Sequence, residues 1–116
     1  MYSQARFIQG VFGFEGAGMA TPVRLGPAAT YRVPADKRTQ IVYVRAGSTA
    51  DELVALVLMR DGKVMRYFPI GAKQAVHVPL AVLEDVFPES QLEIQIVAPK
   101  GAVGSVVLDL GMLEVD

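Results

Sequence analysis

Residues 53–62 constrain the fold more tightly than any other segment. Leu53-Val54-Ala55-Leu56-Val57-Leu58-Met59 is apolar without a break and leads through Arg60 to Asp61-Gly62. Aspartate followed by glycine readily takes the positive φ angles of a tight type I′ turn. Lys63 to Ile70 then returns as a second strand, with Met65 and Tyr67 on one face and Arg66 and Phe68 on the other. This is a hairpin. Its first strand is apolar on both faces, so it belongs at the centre of a sheet with cover on both sides. At an edge it would invite aggregation.

The same alternation recurs along the chain. Leu92-Glu93-Ile94-Gln95-Ile96 alternates strictly, as a half-buried strand does. In Val106–Leu110, Val106, Leu108 and Leu110 share a face, while in Thr39–Arg45 Val42 and Val44 face away from Ile41, Tyr43 and Arg45. Breaks at Gly26-Pro27, Pro34-Ala35-Asp36, Gly47-Ser48, Gly71, Pro88 and Pro99-Lys100-Gly101 space short strands about ten residues apart, the cadence of a sandwich or barrel. The expected fold is therefore all-β: an antiparallel two-sheet β-sandwich, jelly-roll-like, of roughly seven to nine strands. Its expected core contains Val42, Val44, Leu56, Leu58, Ile94, Ile96, Leu108 and Leu110. At most one or two short helical turns are expected beside it, the candidate places being Thr49–Val54 and Pro79–Val86, where proline stands at a first helical position.

At 116 residues the chain makes one domain, 1–116, with 1–20 read as a Gly-rich arm plus first strand. Lysine and arginine number 11 against 12 aspartates and glutamates, so broad electrostatic attraction to nucleic acid or to an anionic membrane is not expected. Residues 1–58 hold six basic and four acidic side chains and residues 59–116 five and eight, an asymmetry ordinary for solvated faces. With no cysteine, disulfides, thiolate metal sites and cysteine nucleophiles are excluded. No continuous apolar run near the N-terminus reads as a secretory signal, and no segment approaches the roughly 18 apolar residues of a membrane span. The expected location is cytoplasmic.

His77 is the one histidine. In Val76-His77-Val78-Pro79 it sits opposite its valine neighbours, as a general base oriented by Glu84 or Asp85 or simply as a surface histidine. The pairs Asp51-Glu52 and Glu84-Asp85 converge on a cation or a proton only if a turn bends them together, and neither has calcium-loop spacing. Gly10, Gly13, Gly16 and Gly18 lack the spacing of a nucleotide fingerprint. No metal or cofactor is expected.

The candidate ligand-binding residues are Tyr43, Arg45, Arg66, Tyr67 and His77, in which aromatic rings stand beside basic groups. The candidate interface residues are Ile41, Tyr43, Phe68 and Ile70, because one sandwich covers one face of each sheet and large apolar groups on the other call for a partner. Three functions follow. The first is a non-catalytic interaction or structural module, pairing with itself as a dimer or trimer or docking on a larger protein. The second is a small-ligand, carbohydrate-like binding module. The third is an accessory subunit of a larger enzyme.

Overall fold

The structure, a computed structural model, describes residues 3–80 and 84–116. In chain order it comprises β1 (Ser3–Glu15), β2 (Gly18–Arg24), a 3-10 turn (Pro27–Ala29), β3 (Thr30–Arg32), β4 (Arg38–Ser48), β5 (Val54–Arg60), β6 (Lys63–Ile70), β7 (Ala75–Pro79), β8 (Asp85–Val86), β9 (Gln91–Ala98) and β10 (Val103–Val115). Two antiparallel sheets face each other. The first, sheet A, runs β1-β10-β4-β7, with β8 also on β4; the second, sheet B, runs β2-β9-β5-β6, with β3 also on β9. This is the expected sandwich. The short β3 and β8 take the number of strands among the described residues above the expected range.

The Asp61-Gly62 hairpin joins β5 to β6, with both turn residues at positive φ (51° and 80°), as a type I′ turn requires. Between β9 and β6, β5 sends Val54, Leu56 and Leu58 into the core. Its other face is covered too: Ala55 and Val57 are buried with Val97 in a small outer cluster against Met59. Gln95 and Tyr67 flank Val57 in register on either side.

Two local expectations change, and a third lies partly outside the described residues. Val42 is only half-buried, whereas Ile41 and Val44 are both in the core. The reason is a bulge: Tyr43 pairs with Gly111 but Ile41 pairs with Met112, so Val42 is an extra residue and the alternation resets across it. Thr49–Val54 contains no helical turn; Asp51 and Glu52 form a bend, and Ser48 Oγ accepts from the Ala50 amide to fold the chain back. Pro79–Val86 falls partly on residues 81–83, outside the described residues, while its flanks are strand: Pro79 ends β7, and Asp85-Val86 is β8. Among the described residues no helix is long and apolar enough to cross a membrane.

The N-terminal glycines do not form a separate arm. Gly10 and Gly13 lie within β1, which pairs with β10 over its whole length, Ser3 to Val115 through Glu15 to Val103. Beneath it, the Pro27–Ala29 turn packs between β1 of one sheet and β9 of the other, with Ala29 fully buried.

Candidate functional site

Strand register assembles a surface that residue spacing could not show. On the outer face of sheet A, Gln9 pairs with Asp109, Asp109 with Arg45, and Arg45 with His77. Four polar side chains from β1, β10, β4 and β7 thus form one row across the strands, each about 4.8 Å from the next. The neighbouring row on one side reads Phe7, Gly111, Tyr43, Pro79; on the other side it reads Val11, Val107, Gly47, Ala75.

Asp109 is the hub. Arg45 Nη2 lies 2.8 Å from its Oδ2, while Gln9 Nε2 and the Tyr43 hydroxyl each donate to Oδ1 at 3.1 Å. These donors favour the charged form, Gln9 foremost, then Tyr43 and Arg45, and hold the carboxyl below its ordinary value against the opposing effect of burial. Arg45 is raised in turn, by Tyr43 first and then by Asp109. Its guanidinium carbon stands 5.0 Å from the Tyr43 ring centroid, and the His77 ring meets Tyr43 edge to face at 6.1 Å.

Gly111 explains how Tyr43 is seated. A Cβ on Gly111 would stand 2.1 Å from Tyr43 Cε2, so the ring rests directly on the bare backbone of β10. Packed on Gly111 and capped by the Arg45 guanidinium, Tyr43 positions the polar row.

Beside the row, the small residues Gly47 and Ala75 leave an open depression of about 520 Å³, rimmed by Arg45, His77, Val107 and Asp109. A second, apolar dip of about 240 Å³ lies at the opposite end of the face, around Phe7, Val42 and Leu113.

Of the sequence-derived candidates, Tyr43, Arg45 and His77 come together here. Arg66 and Tyr67 do not: both are on β6 in sheet B, where Arg66 pairs with Glu84 and Tyr67 points outward beside a separate groove. The bulge after Leu58, which leaves Met65 unpaired, changes the expected phase of this strand as well. Ile41, Phe68 and Ile70, expected at an interface, are instead core residues at 3%, 4% and 0% exposure. They fill the inter-sheet space because the β4 bulge turns Ile41 inward and β6 turns Phe68 and Ile70 inward.

The His77 ring has no hydrogen-bond partner among the described residues, and neither proposed orienting acid reaches it. Glu84 is bound by Arg66, while Asp85 takes Arg38 at 3.2 Å and Gln40 at 2.9 Å. Asp51 pairs with Lys73 at 3.0 Å on the surface. Among the described residues no group of three or more histidines and acids is arranged to hold a metal ion.

Gln9 and Asp109 were missed from sequence. Each is a polar residue opposite apolar neighbours in an alternating strand, but nothing local says they are neighbours 100 residues apart. A second polar cluster was equally invisible. Glu114, almost fully buried, receives the Arg6 guanidinium at 3.1 Å and the Tyr31 hydroxyl, which also lies 3.2 Å from Thr39 Oγ1. Burial first, then the bond to Glu114, pushes the Tyr31 phenol up to about 12. This cluster is satisfied internally and braces one end of the sandwich.

Comparison with known structures gives the fold and nothing finer. The CBM36-1 domain of a multidomain xylanase from the hindgut metagenome of Trinervitermes trinervoides superposes with a TM-score of 0.58 at 11% identity, over 95% of this chain and 96% of that one. The structure of infectious bursal disease virus Gx strain gives 0.54 at 13%, over 97% of this chain and 33% of that one. The insecticidal delta-endotoxin Cry8Ea1 from Bacillus thuringiensis gives 0.51 at 13%, over 90% and 19%. This chain is a β-sandwich module. No protein-family model and no curated protein sequence matches it. The polar row and its depression therefore have to be read from their own chemistry.

Proposed function

We propose that this chain is a non-catalytic binding module that takes a polyhydroxylated, saccharide-like ligand on the outer face of sheet A. The observation that carries the proposal is the in-register row Gln9–Asp109–Arg45–His77 beside a depression of about 520 Å³. Asp109 is oriented and ionised by three donors, which leaves acceptor capacity for a hydroxyl. Arg45 keeps guanidinium donors beyond its bond to Asp109, and among the described residues no hydrogen bond engages a ring nitrogen of His77. Donors and acceptors alternating at strand spacing suit adjacent hydroxyls, and the floor of Gly47, Ala75 and Val107 suits the apolar C–H face of a sugar ring. The like-folded CBM36-1 domain is a carbohydrate-binding module, which agrees with this reading without establishing it.

The competing expectation of a protein-interaction module has lost much of its basis on these residues, since Ile41, Phe68 and Ile70 are needed in the core. Catalysis has little support at this face. Among the described residues no carboxylate orients His77, and Asp109 is held as a stable anion rather than as a proton acceptor poised near neutrality.

The test is a nitrogen-15 NMR titration with neutral gluco-, xylo- and manno-configured hexasaccharides. Shifts should concentrate at Arg45, Gly47, Ala75, His77 and Val107. Arg45→Ala and His77→Ala should each weaken binding about tenfold, as losing one hydrogen bond to a charged or well-placed donor would. No shift on this face at about 10 mM sugar, a concentration that would reveal Kd values near 1 mM or about −4 kcal/mol, would overturn the ligand reading. Recovery of shortened sugars would overturn the non-catalytic one.

A further inference from the structure

The four sheet edges are not alike. In sheet B, β6 carries Lys63, Pro69 and a bulge at Met65, and β2 carries Pro22 and pairs with β9 only at Gly18, Val23 and Arg24. In sheet A, β7 is five residues long and ends in Pro79. Prolines, lysines, bulges and short length are the usual devices that keep an edge from pairing with another chain. β1 has none of them. It runs 13 residues, Ser3–Glu15, without proline, lysine or register shift, and has a strand partner on one side only.

The open side of β1 presents a row of backbone groups to solvent. Among the described residues no backbone hydrogen bond from another element reaches it; the Pro27–Ala29 turn packs beneath the strand but closes on itself, Ala29 N to Gly26 O. Beside this edge, Phe7 is 52% and Val11 69% exposed.

From this we infer that β1 pairs antiparallel with β1 of a second copy, joining two A sheets into one continuous sheet about a two-fold axis. The second copy is the occupant for three reasons. An edge strand facing its own two-fold mate is self-complementary and closes, so assembly stops at two. A two-fold axis through one edge strand makes the pairing antiparallel, which is the sense of every other pairing in this sheet. Thirteen residues extend about 43 Å, nearly the 45 Å length of the molecule, so the edge has enough length to approach the roughly 800 Å² per partner of a stable dimer. Phe7 and Val11 of each copy would be partly covered, and the two polar rows would lie end to end through Gln9. The inference stands independently of the ligand reading.

Analytical ultracentrifugation and hydrogen exchange of the full chain test it. At tens of micromolar the protein should sediment at twice its 12.5 kDa mass, and raising the concentration should slow exchange at alternate β1 amides by at least tenfold. The Phe7→Lys/Val11→Lys variant, changed only at exposed positions, should remain folded and become monomeric. A monomer at about 100 µM overturns the inference, since an 800 Å²-per-partner dimer should hold at that concentration. So does a dimer whose β1 amides exchange freely, or one that the double lysine variant leaves intact.

Discussion

Gly111→Ala probes the seat on which the polar row depends. The added Cβ would stand 2.1 Å from Cε2 and 2.6 Å from Cζ of Tyr43. Carbon pairs rest at about 3.5–4.0 Å, so the ring has to retreat by roughly 1.5 Å. Its retreat is opposed by the Arg45 guanidinium, 5.0 Å from the ring centroid, and by its hydroxyl bond to Asp109. Overpacking of this kind costs about 1–3 kcal/mol. Displacing the hydroxyl from a part-exposed carboxylate adds roughly 1 kcal/mol. The sum, about 2–4 kcal/mol, corresponds for a chain of this size to a fall in Tm of roughly 10–15 °C. Gly13→Ala is the control, because a Cβ there meets nothing within 4 Å and no positive φ is involved; its Tm should hold or rise slightly. In the double variant Tyr43→Ala/Gly111→Ala the cost of alanine at 111 should largely vanish. Calorimetry on the wild type, Gly13→Ala, Gly111→Ala, Tyr43→Ala and the double variant reads all of this. Equal Tm values for Gly111→Ala and Gly13→Ala, or a cost at 111 that persists without the ring, would refute the argument.

Gly62→Val should destabilise by about 1–2 kcal/mol in urea unfolding, since a β-branched residue resists a φ of 80° even with open space around it. Tyr31, raised to about 12 from an ordinary 10.0, favours the folded state while protonated; that contribution is intact below pH 10 and is lost as the pH climbs towards 12. Tyr31→Phe should lack this alkaline loss, and ultraviolet titration should find one tyrosine ionising last. Asp109 has the opposite sign: its lowered value stabilises the fold above the usual carboxylate range and ceases to do so as the pH falls through the lowered value. The stability gap between the wild type and Asp109→Asn should therefore be widest near neutrality and shrink below about pH 4. Urea titrations at a series of pH values would show it, and a gap independent of pH would contradict it.

Local chemistry made much of the fold legible. The hairpin followed from Asp61-Gly62 because a two-residue turn is decided by the φ angles its own residues accept. The doubly covered β5 followed from seven apolar residues in succession, and Ile94, Ile96, Leu108 and Leu110 followed from alternation in strands that run without interruption. At two places the reading failed because alternation itself was broken. The extra residue Val42 in β4 and Met65 in β6 each reset which side faces inward, and a bulge is chosen by the partner strand rather than by the bulged residues alone. That is why Ile41 moved from the expected interface to the core.

The candidate site divides in the same way. Sequence marked Tyr43, Arg45 and His77 as aromatic and basic residues in strands, but equally marked Arg66 and Tyr67, and offered no reason to separate them. Only pairing of β1, β10, β4 and β7 puts positions 9, 109, 45 and 77 in one row and assigns β6 to the other sheet. Side-chain type and strand phase are local properties of the chain. Register and sheet membership are settled by which long-range pairing buries the most apolar surface, and that competition is decided by the whole sandwich at once.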